Sequence, residues 1–294
     1  MKTLKLKTLQ TLIHCPALVM TMLAFLGSQT LAAESDEYPK YSTELQITSH
    51  GSRLPALLYG AAGVGPHPTV ILLHGYPGNE KNLDVAQGLR AAGWNVLFFH
   101  YRGAWGAEGE FGFLNAEADV LSVIDYLQKA DNARSLRIDT TAISLVGHSM
   151  GGHMAVAGAQ QDASVRCAVA YDGANLGVTF SSGDEERERA WMAYGDTLFM
   201  LNGWSGKKSL DEAGAQSERL NLLNHVKALG TRPVLLIAAD SPVIPLARIE
   251  ALRDAIAEGG GNVQYRLIED DHSFNNSREE LLLTTVDFLQ ANCR

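Results

Sequence analysis

Cysteine is scarce: Cys15, Cys167 and Cys293 are the three in 294 residues. No two stand at Cys-x-x-Cys spacing and no Cys/His cluster forms, so the sequence supports neither a structural zinc nor a dithiol redox motif. Positive charge is also short. Lys plus Arg number 24 against 33 Asp plus Glu, a formal charge of −9, which argues against a nucleic-acid partner. No Gly-Lys-Ser/Thr nucleotide loop, internal repeat or low-complexity tract is present, and no cofactor is implied.

The one long apolar run lies at the start. Lys2, Lys5 and Lys7 precede "TLIHCPALVMTMLAFLG", and small Ala32 and Ala33 then precede Glu34. This is the three-part pattern of a secretory signal peptide. His14 and Pro16 interrupt the run, so residues 1–33 are expected to be a cleaved leader rather than a span. His14, just before Cys15, argues against a lipoprotein anchor. The chain is expected to be exported, periplasmic or secreted, with no membrane partner once the leader is gone.

From residue 41 onward, strand and helix patterns alternate. "YSTELQITSHGSRLPALLYG" reads as a hairpin turning at His50-Gly51-Ser52. "HPTVILLHG", "NVLFFHY", "TAISLVGHS", "VRCAVAYDG", "RPVLLIAAD" and "NVQYRLIED" read as strands, mostly buried on both faces. Helical spacing separates them, strongest in "NAEADVLSVIDYLQKA", where Val120, Val123, Ile124 and Leu127 share a stripe. Such alternation implies right-handed crossovers and a mostly parallel sheet with ligands at the strands' carboxyl ends. Residues 174–230 break the pattern. Their length and composition are expected to make a mostly helical cap, with Trp191, Met192, Met200 and Trp204 either lining a substrate pocket or packing the cap itself.

The densest signal is Gly147-His148-Ser149-Met150-Gly151, at the junction of a buried strand and a helix. Gly-x-Ser-x-Gly in that context is a nucleophile elbow, in which side chains at the glycine positions would strike the neighbouring strand and helix. A serine hydroxyl needs a base. His272, in "LIEDDHSF" after the last strand, is the candidate, and Asp271 beside it is read as holding the loop. The oxyanion needs two amides. Met150, directly after the serine, supplies one, and Tyr76, in the "LLHGYPG" loop, the other. Tyr76, His148 and Trp191 are the side chains expected along the substrate. Arg102, in "HYRGAWGAEGEFGF", is read as a structural cation pinning that glycine-rich loop.

"LLHGYPG", "YRGAWGAEGEFGF", "LVGHSMGGHMA" and "DDHSF", in this order, resemble the α/β-hydrolase superfamily, and within it the prolyl-oligopeptidase and dienelactone-hydrolase-like branch. The resemblance spans about residues 41–293 and is weak in the cap. It implies an α/β-hydrolase fold with an eight-stranded, mostly parallel sheet flanked by helices. It also implies a Ser-His-acid triad and an acyl-enzyme. Such families often carry Asp-x-x-x-Pro after the seventh strand, but here Ser241 stands four residues before Pro245. Asp240, one position earlier, is expected to be the acid. Asp172, after the preceding strand, is the alternative. The same topology brings Cys167 and Cys293 to one edge of the sheet, where a bridge is sterically open, as is one buried and one free thiol. The function expected is a serine hydrolase acting on a carboxylic ester, with a short peptide as the alternative substrate. A non-catalytic binding protein on the same scaffold is the competing class. Oligomeric state is left open.

Overall fold

In the computed structural model, residues 37–179 and 185–294 are described. The expected leader, residues 1–33, lies outside them. The body comprises Tyr41–Ala61 and Gly65–Arg294. Its strands are β1 (Tyr41–Ser49), β2 (Ser52–Gly60), β3 (His67–Leu73), β4 (Asn95–Phe99), β5 (Ile138–His148), β6 (Val165–Tyr171), β7 (Pro233–Ala239) and β8 (Asn262–Ile268). The longer helices are α1 (Leu83–Ala91), α2 (Phe113–Gln128), α3 (Met150–Gln161), α4 (Glu185–Gly195), α5 (Gly206–Ala215), α6 (Leu246–Glu258) and α7 (Arg278–Asn292).

The eight strands form one sheet in the order β1-β2-β4-β3-β5-β6-β7-β8. The pairs β1/β2 and β2/β4 are antiparallel and the rest parallel. The β1–β2 hairpin turns through His50 at φ 47° and Gly51 at φ 84°. Two consecutive positive-φ residues make the turn whose twist matches the flanking strands. After β3 the chain runs first to β4 on one side and then to β5 on the other. A crevice therefore opens at the carboxyl ends of β3 and β5, where a doubly wound sheet binds ligands.

Strand alternation divides the core into two layers. Ile71 and Leu73 face one layer with Leu97, Leu145, Leu236 and the α2 stripe of Val120, Val123, Ile124 and Leu127. Val70 and Leu72 face the other with Val96, Val146, Val169, Ile237, and Leu281, Phe288 and Leu289 of α7. Burying each such side chain is worth about 1.5–3 kcal/mol, and that holds the strand ends rigidly in register. Between β6 and β7 the described residues form α4, α5, short helical turns and the 3-10 segment Leu222–Leu229, with an isolated bridge from Ala104 to Leu201. Cys167 at the start of β6 and Cys293 after α7 are joined by a disulfide, with Cα atoms 5.8 Å apart. Arg102 binds Asp119 through Nε at 2.6 Å and the Asn115 carbonyl through Nη2 at 2.9 Å, pinning the loop after β4 to α2.

Candidate active site

Ser149 sits between β5 and α3 with φ 57° and ψ −117°. This is a strained conformation for a residue with a side chain, costing on the order of 1–3 kcal/mol, so the surroundings must enforce it. Its amide donates to the Tyr171 carbonyl at 2.9 Å, and its carbonyl accepts from the Ala174 and Gly152 amides, both at 3.0 Å. The two flanking glycines leave no room for anything larger. A Cβ on Gly147 would stand 2.0 Å from the Gly151 oxygen, and one on Gly151 would stand 2.1 Å from the Leu73 oxygen. The turn between strand and helix is therefore possible only with both positions bare.

His272 lies in the loop after β8, which is braced from both ends. Asp271 accepts from the Ser273 and Asn275 amides, and Asp270 accepts from the Asn276 amide. Phe274, with φ 57°, buries its ring in the core below. His272 Nδ1 donates to Asp172 Oδ2 at 2.5 Å, which leaves Nε2 as the ring's basic nitrogen.

The carboxylate opposite His272 is thus that of Asp172, and the expected Asp240 is not there. Asp172 is fully buried, with φ 40°, directly after β6. The Ala239 amide donates to its Oδ1 at 3.1 Å and the Ser241 hydroxyl to its Oδ2 at 3.3 Å. Asp240, between those two donors, points the other way. It is exposed and borders an open groove beside Asp270 and Asp271. Asp240 stands at a bend directly after β7, and the chain there aims Ser241 at Asp172 while Asp240 faces out.

A cavity of about 310 Å³ opens over these groups, bordered by Ser149, His272, Met150, Tyr76, Trp191 and Ile244 among others. Among the described residues, neither the Tyr76 nor the Met150 amide has a protein acceptor. The Tyr76 ring stacks on Trp191 at 5.3 Å between centroids, and its hydroxyl accepts from Trp204 Nε1 at 2.9 Å. Burial pushes the Tyr76 phenol up to about 12, so it stays protonated. Trp191 Nε1 donates to Ser209 Oγ at 3.0 Å.

His148 was expected along the substrate and is not. As the last residue of β5 it is buried beneath the site, outside the cavity lining. Its Nε2 donates to the His272 carbonyl at 2.7 Å and its ring lies 4.6 Å from that of His272. Burial, then the neighbouring His272, hold its pKa down at about 3. It is a neutral prop for the loop. The support from Ser241 and His148 was not foreseen. For Ser241 a trace was available, since it occupies the place where related sequences carry the acid.

The sheet order, the glycine-flanked turn and the crevice at the strand ends define an α/β hydrolase. The profile of the alpha/beta hydrolase family matches residues 70–282, and the chain belongs to that family. An uncharacterized 31.7 kDa protein of the traX-finO intergenic region of Escherichia coli is 33% identical over 154 residues. The chain spans about half the length of such curated relatives, 48% on each side. An esterase of Pyrococcus furiosus superposes with a TM-score of 0.67 at 19% identity, covering 87% of this chain and 92% of that one. Est1E of Butyrivibrio proteoclasticus, solved with ferulic acid, gives 0.65 at 19% identity, over 84% and 98%. The acylaminoacyl peptidase of Pyrococcus horikoshii gives 0.66 at 15% identity, over 86% of this chain but 42% of that one. At such identities the likeness is one of fold.

Proposed function

We propose that the protein is a serine hydrolase that cleaves carboxylic esters. The observation that carries this is the Asp172–His272 pair, whose imidazole borders the same cavity as the serine of the strained turn. In this reading His272 Nε2 takes the proton from Ser149 Oγ as the oxygen attacks the ester carbonyl. The charge that builds on the carbonyl oxygen is met by the Tyr76 and Met150 amides, reinforced by the positive end of α3. Asp172 holds the imidazole and stabilises the imidazolium. The imidazolium then gives its proton to the departing alcohol, leaving the acyl group on Ser149. A water, deprotonated by the same imidazole, attacks the acyl-enzyme, and the acid leaves with Ser149 restored.

The assignment is tested by a fluorophosphonate probe and by p-nitrophenyl acetate. Wild type is expected to be labelled and to hydrolyse the ester, Ser149→Ala to do neither, and His272→Ala to lose hydrolysis. Equal labelling of wild type and Ser149→Ala would remove Ser149 from the reaction.

We also propose that the protein works after export. The leader pattern supports this, and so does the Cys167–Cys293 disulfide, a bond that persists in oxidising compartments. Fractionation of cells with leaderless and full-length chains tests it. Equal cytoplasmic retention of both would overturn it.

A further inference from the structure

One wall of the cavity is built of aromatic rings. Around Tyr76 stand Trp191, stacked at 5.3 Å and 20°, Tyr194, edge-on at 6.2 Å and 71°, and Phe113 at 6.0 Å and 57°. All four border the same cavity as Ser149. The Tyr76 hydroxyl is taken by Trp204, and the Trp191 N–H by Ser209. Away from the Tyr76 amide at the oxyanion position, these two residues present mainly ring surface to the cavity. Leu176 and Ile244 add aliphatic surface beside them, while Thr179, Arg187 and Glu188 bring polar groups to the border of the same cavity.

We propose that the substrate is an ester bearing a compact aromatic group, and that this group sits against Tyr76 and Trp191. This rests on the serine-esterase reading above. At about 310 Å³ the cavity lies at the small end of ligand pockets, roughly 300–1,000 Å³, a size suited to one ring and a short linker. The rings already meet one another in stacked and edge-on pairs, and a guest ring continues that pattern. Aromatic pairs in such geometry gain more than their buried area predicts, about two- to tenfold for each contact. A saturated ring fills the same space and is more apolar, so burial alone would favour it. The two guests separate ring recognition from simple hydrophobicity.

The experiment compares kcat/KM for two matched pairs. One varies the acyl side, methyl 3-phenylpropanoate against methyl 3-cyclohexylpropanoate. The other varies the alcohol side, benzyl acetate against cyclohexylmethyl acetate. An aromatic preference of about tenfold in one pair is expected, falling to within about threefold in Trp191→Leu. Hydrolysis of all four esters with no aromatic preference in either pair overturns the aromatic assignment and leaves ester hydrolysis standing. So does hydrolysis of none while the fluorophosphonate still labels Ser149. Absence of both hydrolysis and labelling overturns the serine-hydrolase reading and this inference with it. A preference that survives in Trp191→Leu overturns the placement of the ring.

Discussion

The Asp172 carboxylate lies 2.5 Å from His272 Nδ1 across 100 residues of chain, and it is fixed by donors from the last residue of β7 and the loop after it. Asp172→Asn is expected to lower kcat on esters about 10³- to 10⁴-fold, because the amide favours the wrong imidazole tautomer. Asp240→Asn is expected to stay within about twofold of wild type, as befits an exposed group outside the pair. Steady-state kinetics on p-nitrophenyl acetate checks both. Reversed effects would return the acid to Asp240.

In the proposed mechanism His148 acts only through the backbone of His272, whose carbonyl it holds. His148→Phe removes the 2.7 Å donor to that carbonyl and should lower kcat about tenfold or more with little change in KM, since a displaced base weakens the chemical step. His148→Gln, which keeps an N–H donor, should recover part of the loss. Equal kcat in wild type and His148→Phe would deny His148 that role.

Glycine substitutions should separate sharply by position. Gly147→Ala places a methyl 2.0 Å from a backbone oxygen, a clash the backbone has to relieve. Destabilisation of about 3 kcal/mol or more is expected. Gly214, inside α5, has nothing within 4 Å of an added Cβ. Gly214→Ala should stabilise by about 0.5–1 kcal/mol through helix propensity. Urea denaturation of the two variants measures both shifts.

Two buried histidines predict acid sensitivity. Burial, then the neighbouring His100, hold His74 down at about 3, and burial, then His272, hold His148 at about 3, against 6.5 for the free side chain. Below pH 6.5 the unfolded chain therefore binds protons that the folded chain refuses, and stability falls as pH falls. The loss is up to about 1.4 kcal/mol per pH unit for each, and it continues until the folded-state values are reached. Denaturation curves at pH 7.0, 6.0 and 5.0 should show this decline. A flat profile would mean that neither ring is held neutral.

The disulfide ties α7 to the start of β6 across 126 residues. Cys293→Ser is expected to cost about 2–5 kcal/mol by freeing the unfolded chain, with ester hydrolysis retained at low temperature. Thermal unfolding with and without reductant gives the comparison.

The turn at Ser149 was legible because its requirement is local. Gly147 and Gly151 are dictated by atoms a few residues away or on the adjoining strand, and five letters carry that demand. His272 was legible from its place after the last strand. The acid was not. Asp172 and Asp240 follow neighbouring strands and end near the same point, so order along the chain favours neither. The choice is made by the backbone at 172, where φ is 40°, and by the inward turn of Ser241. Neither has a sequence signature. The same holds for His148. Its letter fitted a pocket wall, but strand alternation buried it behind the loop it supports.

Because the charge behind the imidazole comes from the end of β6, the stretch from Asp240 to Pro245 carries no reacting group. Val243 and Ile244 on that stretch still border the cavity. Substitutions at Val243 and Ile244 can reshape the cavity while sparing Ser241, which holds Asp172, so these two positions are where a lineage could change diet at least risk.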